Sequence, residues 1–528
     1  MLKKLKDFFT AHTYVSVILS AILTSASLIF VNYFIAWFAL CFLFIALFNV
    51  SNIRQALYLG FVFGGVSAGI LNYWMIPAIM QYAQSSIILA VFCLLLCSLV
   101  IGCIYAIQFL VFIKTRFTGT AFSALFGNAL LMASVWVLFE WIRASIFAGM
   151  PWMSYSIGIS QASNLILSQP AAVGGVFILS FLLVLINYTL SLSINKEAWK
   201  WMLAPAFILI IHFLIGTFLY NNISNQIGDT NNKELKAALV LASLDPETVW
   251  DANNGNALVK NLISLNSEAA ESNTDLILWS ETVIPWTYDV DDDFLKEIAK
   301  ATSVKKTHFL LGMSTAVDHN SDAVYNSAYF FNPTGSVLDR YDKGELLSLI
   351  ERPLFEENSS IILPFLAGSG LIVQRGIRQQ AIQTPWGKAG VLLCNESTVP
   401  AITSRYVSNQ VSFLINLGND GWFSDFFITK QHFYNSRLRA IESRKDLVIN
   451  SNRGISGVIR ANGEVGAQYQ SDLSSVQHVK IYPNQIAALS YHYFIYAVLS
   501  VTVALLILKI YTILPSRVVS NHHEGRHI

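Results

Sequence analysis

Long apolar stretches almost free of charge fill the first 220 positions of this chain. Shorter apolar runs, broken by polar residues, follow from about 235 to 490, and a last apolar stretch lies at 491–513. A helix needs about 20 apolar residues to cross the hydrocarbon core of a bilayer. The pattern therefore predicts spans near 14–31, 33–50, 56–78, 86–113, 121–141, 171–194, 201–220 and 491–513. The middle segment has another periodicity. Runs of strand length are predicted at 235–242, 275–279, 308–312, 325–331, 389–393, 411–416, 446–450 and 455–460, and helices at 251–271, 291–303, 398–409 and 426–444. Strands alternating with helices, punctuated by Gly, Asn, Asp and Pro, predict an α/β layered domain with largely buried strands. The expected order is a membrane domain of about seven helices over 1–220, a globular domain over 233–490, a transmembrane helix over 491–514 and a tail over 515–528.

Composition agrees with this division. A hydrophobic fraction of 54% against a charged fraction of 13% lies outside the range of soluble proteins. The net charge of +1 gives no reason to expect nucleic-acid binding. Charge placement predicts the sidedness. Lys3, Lys4 and Lys6 precede the first span, and Arg54, Lys114, Arg116, Lys196, Lys200, Arg517 and Arg526 fall on the same side if all eight spans cross. The opposite loops are poor in Lys and Arg, with Arg143 the main exception. The positive-inside rule then places both termini in the cytoplasm and 233–490 outside it. The long first apolar stretch, followed by further spans, predicts an uncleaved anchor rather than a signal peptide.

Four of the five cysteines, Cys41, Cys93, Cys97 and Cys103, lie in predicted spans and read as small packing residues. Cys394 is the only cysteine of 233–490, and a thiol without a disulfide partner outside the cytoplasm is a candidate for reactivity. It directly follows the apolar run 389–393, where a strand-to-turn junction presents a side chain and leaves the Asn395 N–H free to donate. Glu281 follows 275–279 in the same way, and Lys343 follows Arg340-Tyr341-Asp342. A thiol needs its proton removed before it attacks a carbonyl. Glu281 could serve as base, and Lys343 could steady the thiolate and the developing oxyanion. Taken singly, Lys343 also reads as a surface charge, Glu281 as a helix cap and Cys394 as a buried strand end.

The stretch 344–377 is unusually apolar for a loop. It reads either as packing on the domain or as a lid that dips toward the membrane and handles acyl chains. Trp422 and Phe423 read either as core or as the lining of an acyl channel. Arg143 and Trp152 are candidates for lipid contact, Arg143 alternatively packing beside Glu140. No metal-ligand spacing surrounds His432, and His522, His523 and His527 fall in the tail.

Glu281, Lys343 and Cys394 in this order resemble the triad of the nitrilase (carbon–nitrogen hydrolase) superfamily. The flanking spans narrow the resemblance to its membrane branch, the apolipoprotein N-acyltransferases, over essentially the whole chain. Asn419-Asp420-Gly421-Trp422-Phe423, Gln431-His432-Phe433, Arg437-Leu438-Arg439-Ala440-Ile441-Glu442 and Asn452-Arg453-Gly454-Ile455-Ser456 carry the resemblance further. Glu140-Trp141-Ile142-Arg143 with Gly149-Met150-Pro151-Trp152 is similar to the family's periplasmic loop. Glu351 resembles the family's second essential glutamate, and Trp250 a tryptophan near its site. Three places depart from the family: Ala242-Ser243-Leu244, Ser348-Leu349-Ile350, and Asn395 where a tyrosine commonly follows the nucleophile.

The resemblance implies a multi-span helical bundle joined to an αββα sandwich on the periplasmic side of a bacterial inner membrane. It implies a ping-pong acyl transfer through a Cys394 thioester. The donor would be a phospholipid, commonly phosphatidylethanolamine, and the acceptor the amine of a diacylglyceryl-cysteine lipoprotein. Glu351, Asn395, Glu396 and Trp250 would support the triad, and no cofactor or metal is expected. A membrane-tethered amidase using water, and a catalytically retired relative that binds lipoproteins, remain as alternatives.

Overall fold

The computed structural model describes residues 2–520 except 51, 83–84, 198, 230–232, 246–247, 249, 252, 272, 319–322, 349–350, 352–371, 424–425 and 471. Most of the expected lid, and the tail histidines, lie outside the described residues. The first part is helical: α1 (Leu2–Ala11), α2 (Thr13–Ile29), α3 (Tyr33–Ala39), α4 (Cys41–Phe48), α5 (Ile53–Leu71), α6 (Met75–Tyr82), α7 (Ile87–Thr115), α8 (Phe122–Ile146), α9 (Ala171–Asn195) and α10 (Leu203–Asp229). Among the described residues, six helices are long and apolar enough to cross a membrane, or seven if α1 and α2, bent by 102°, count as one.

Two expected spans differ from the structure. The span at 33–50 is two short helices, α3 and α4, broken at Leu40. Asn187 of α9 staples the break, accepting from the Leu40 N–H at 2.9 Å and donating to the Ala36 carbonyl at 2.9 Å. A side-chain amide inserted into a helix's own ladder is a recognised cause of such breaks. The span at 56–78 begins three residues earlier and ends at Leu71, where buried Asn72 donates to the Trp152 carbonyl at 3.3 Å.

Burial grades the bundle from its centre outward. Most of α9 is enclosed, whereas α7 and α10 present Ile88, Leu95, Leu203, Phe207 and Phe218 to the outside. Exposed apolar rows of that length suit contact with lipid tails. Helices α5 and α7 meet where Gly60 and Gly64 face α7; a Cβ on Gly60 would lie 2.5 Å from the Tyr105 carbonyl oxygen. Small residues four apart let two helix backbones approach this closely.

From Leu235 onward the chain builds two packed sheets. The strands are β1 (Leu235–Leu241), β2 (Leu276–Trp279), β3 (His308–Ala316), β4 (Ala323–Phe331), β5 (Val337–Asp342), β6 (Ile372–Gln374), β7 (Ile382–Thr384), β8 (Gly387–Leu393), β9 (Phe413–Asn419), β10 (Leu447–Asn452), β11 (Ser456–Ile459), β12 (Val465–Tyr469) and β13 (Ser475–Ile481). One sheet runs β13-β1-β2-β3-β4-β5 with β6 beside β4, the other β12-β11-β10-β9-β8-β7. The helices are α11 (Gly255–Glu271), α12 (Asp293–Lys305), α13 (Pro400–Ser408) and α14 (Phe426–Ser443), followed by α15 (His492–Ser520).

Alternation along the strands explains the layering. Leu239, Leu278 and Leu310 pack into the core shared with Val391, Leu393, Ile415 and Leu417 of the second sheet. Their neighbours Val240, Ile277, Phe309 and Leu311 face the other way, into a core shared with Leu262 and Ile298 of α11 and α12. Strands buried on both faces read as continuous apolar runs, which is why these were visible in the sequence. With α13 and α14 against the second sheet, the domain is an αββα sandwich. β1, β2 and β3 are mutually parallel, as are β8, β9 and β10. Asn450 of β10 donates to the carbonyls of Val240 and Leu278, bringing the C-terminal ends of the two parallel sets together.

Candidate active site

Chain turns at those C-terminal ends gather the polar residues. Thr282, Cys394 and Arg453, after β2, β8 and β10, all have positive φ although none is glycine. Cys394 has φ +50 at the sharp start of a 3-10 turn, Cys394–Thr398. Left-handed backbone of this kind is costly and persists where the surroundings over-determine it.

Glu281, Lys343 and Glu351 come together in one buried group. The Lys343 Nζ lies 3.0 Å from an oxygen of Glu281 and 3.0 Å from an oxygen of Glu351. Asn326 of β4 donates to the same two oxygens, at 2.8 and 3.0 Å. The Leu347 N–H holds the other oxygen of Glu351 at 2.7 Å. Burial raises the Glu281 pKa above the usual carboxylate range, and Glu351 adds to this while Lys343 opposes it. A carboxylate displaced toward neutrality is a better proton acceptor at physiological pH. Burial works against the Lys343 ammonium, but the two carboxylates outweigh it and hold its pKa well above the ordinary value. Burial, then the charge of Glu281, push the Cys394 thiol well above its usual range against the pull of Lys343. These surroundings favour the neutral form of the Cys394 thiol.

Glu396 ties the lysine turn to the cysteine turn. Its carboxylate accepts the Tyr341 hydroxyl at 2.9 Å and the N–H groups of Gly344, Glu345 and Leu393 at 2.8, 3.1 and 2.8 Å. Asn395 is buried and donates to the Glu345 carbonyl at 3.2 Å.

Cys394 opens into a cavity between the sandwich and the helical bundle, with an empty volume of about 860 Å³ including its open mouth. Trp74, Trp152, Tyr155 and Val176 line it from the bundle, and Cys394, Asn395, Phe423, His432 and Arg439 from the sandwich. Phe423 therefore lies at the cavity, edge-on to Trp74; the Trp422 side chain lies outside the described residues. Helix α14 joins the two halves: Gln431 donates to the Leu28 carbonyl at 2.6 Å, Arg437 to that of Ala162 at 3.0 Å, and Glu442 accepts from the Val176 N–H at 3.1 Å.

Two expected site residues stand apart from this cavity. Trp250 packs edge-on against Trp286, 5.8 Å between ring centres, and does not line it. Arg143 is buried in the bundle over the Tyr105 ring, donating to the Tyr155 carbonyl at 3.3 Å, beside a second pocket of about 380 Å³. Sequence reasoning missed Asn326, although a polar side chain in a strand that is otherwise apolar is a usable signal. It also missed the approach of Asp420 and His432 to Cys394, all three within 4.8 Å of one another. That spacing could suit a metal ion, but Asp420 Oδ1 and His432 Nδ1 are already paired with each other at 2.6 Å.

Comparison with known proteins agrees with this construction. Residues 20–189 match the apolipoprotein N-acyltransferase N-terminal domain, and 236–491 match the carbon–nitrogen hydrolase family. The apolipoprotein N-acyltransferase of Geobacter metallireducens is 28% identical over 82% of this chain and 82% of its own. That of Rickettsia prowazekii is 28% identical over 64% and 66%, and that of Wigglesworthia glossinidia brevipalpis 26% over 79% and 81%. The Saccharomyces cerevisiae nitrilase-superfamily protein Nit3 matches over 50% of this chain and 94% of its own at 16% identity, with a TM-score of 0.35. With both family models matched in order and curated relatives aligned across both halves, the chain belongs to the apolipoprotein N-acyltransferase family, the membrane branch of the carbon–nitrogen hydrolases.

Proposed function

We propose that this protein moves an acyl chain from a membrane phospholipid to the N-terminal amine of diacylglyceryl-cysteine in lipoproteins, through a thioester on Cys394. One observation carries the reading: the Cys394 thiol lines a cavity shared with an apolar helical bundle, and the charges of the paired Glu281 and Lys343 act on it. A soluble amide would need no such bundle. Phosphatidylethanolamine is the proposed donor, and the proposed setting is a bacterial inner membrane with both termini cytoplasmic and the sandwich on the periplasmic side.

In the first half-reaction Glu281 takes the thiol proton and the Cys394 sulfur attacks the ester carbonyl. Lys343 and the Asn395 N–H steady the oxyanion, a role typically worth about 3–4 kcal/mol per donor. The C–O bond breaks, the lysophospholipid alkoxide takes the proton from Glu281, and the chain stays on sulfur. In the second half-reaction the acceptor amine attacks the thioester, the C–S bond breaks, and the thiolate recovers a proton. Holding both substrates in turn in one cavity saves the entropy of a three-body encounter.

The test is product analysis. Protein mixed with phosphatidylethanolamine vesicles carrying a tagged acyl chain, and with a diacylglyceryl-cysteine peptide, should yield the peptide with the tag on its amine. Release of tagged fatty acid alone would favour the hydrolase instead.

A further inference from the structure

The wall of the cavity that an acceptor would meet contains neither Glu281 nor Lys343; it contains Cys394, Asn395 and His432. His432 sits on α14, buried and edge-on to Phe423 with 5.6 Å between ring centres. Its Nδ1 lies 2.6 Å from Oδ1 of Asp420. With Nδ1 turned to that carboxylate, Nε2 is the ring nitrogen not engaged by it. Asp420 itself is held in place: it begins the turn after β9, the neighbour of β8. Gly454 packs so closely that a Cβ there would fall 2.2 Å from Asp420 Oδ2. A carboxylate fixing the tautomer and angle of an imidazole beside a nucleophile is a recurring device for moving protons.

Resting on the acyl-transfer reading above, we propose that Asp420 and His432 form a second acid–base pair that serves the amine half-reaction. Glu281 is then the base for loading the thiol, and His432 the base for unloading it. A peptide α-amine is largely an ammonium at neutral pH, with an ordinary pKa of about 8. It must lose one proton before attack and a second as the amide forms. His432 Nε2 takes the first from the ammonium, and the neutral amine attacks the thioester. As the C–S bond breaks, the second proton passes to the Cys394 sulfur. The charged imidazole, balanced by Asp420, then releases its proton to water.

The experiment measures the two half-reactions separately in the full-length protein. Loading is followed by the mass of the acyl-enzyme formed from phosphatidylethanolamine. Discharge is followed after adding a diacylglyceryl-cysteine peptide. For His432→Gln, discharge should slow about 10²-fold more than loading, the usual size of a lost general base. Imidazole added to the buffer should restore part of the discharge rate. Gly454→Ala, whose added Cβ would crowd Asp420 together with Ser451, should slow discharge in the same direction by less. Equal slowing of both steps, or an unchanged discharge rate, would overturn the proposal. A wild-type protein that never loads would instead sink the acyl-transfer reading itself, so the two failures are distinguishable.

Discussion

Glu396 accepts the hydroxyl of Tyr341 at 2.9 Å on each of its carboxylate oxygens, across the interface between the two sheets. The contact joins the end of β5, where Lys343 begins its turn, to the turn that starts with Cys394. The site offers donors only, with three backbone N–H groups beside the hydroxyl. Glu396→Gln would set amide hydrogens against them, and should cost about 1–3 kcal/mol in unfolding free energy. Burial pushes Glu396 up to about 7. Its folded pKa is therefore raised, so the stability linked to its proton is present below the unfolded value, near 4, and lost as pH rises through 7. The stability gap between wild type and variant should narrow from pH 5 to 8, which denaturant titrations in detergent would read. A gap that widens would contradict the assignment.

Lys343 is the described cation between Glu281 and Glu351, and its removal leaves two buried carboxylates facing one another. Lys343→Met should destabilise the protein by about 3–5 kcal/mol, the usual consequence of breaking a buried pair. Adding Glu351→Gln should recover part of that loss by removing one of the like charges. Thermal unfolding of the single and double variants tests this, and an unchanged midpoint in Lys343→Met would argue against the buried group.

How much of this was legible beforehand follows from burial. Strands β1, β2, β8, β9 and β10 are enclosed on both faces over most of their length, so apolar residues dominate them, and the sequence showed them. Strands β5, β12 and β13 are exposed over much of their length and include polar residues such as Arg340, Gln468 and Lys480, so they do not stand out. Cys394 and Glu281 were visible because each follows such a buried run. Asn326 and the Asp420–His432 pair were not, because only the folded chain brings Asn326 to Glu281 and Glu351, and the other two to the thiol. The break at Leu40 was hidden for the same reason: Asn187, which causes it, is 147 positions away.

The two half-reactions should differ in their response to acid. Without His432 to take the ammonium proton, discharge needs an amine that is already uncharged, whose ordinary pKa is about 8. Single-turnover discharge of His432→Gln by the peptide should therefore fall as pH drops from 8 to 6, approaching tenfold per unit and more steeply than wild type. A flat profile would mean that amine attack does not limit the step.

Sidedness can be read at Asp291, an exposed residue just before α12. In intact cells with a permeabilised outer membrane, a cysteine placed there should react with a membrane-impermeant maleimide. Labelling only in inverted membranes would put the sandwich in the cytoplasm and overturn the proposed orientation.

The most direct measurement is the mass of the enzyme itself. Wild type and Cys394→Ala would be incubated with a phospholipid bearing a tagged acyl chain and examined by intact-mass spectrometry. The account predicts a hydroxylamine-sensitive adduct of one acyl chain on wild type, none on Cys394→Ala, and its loss when a diacylglyceryl-cysteine peptide is added. An equal adduct on both proteins, or none on wild type with any phospholipid, would contradict a thioester on Cys394.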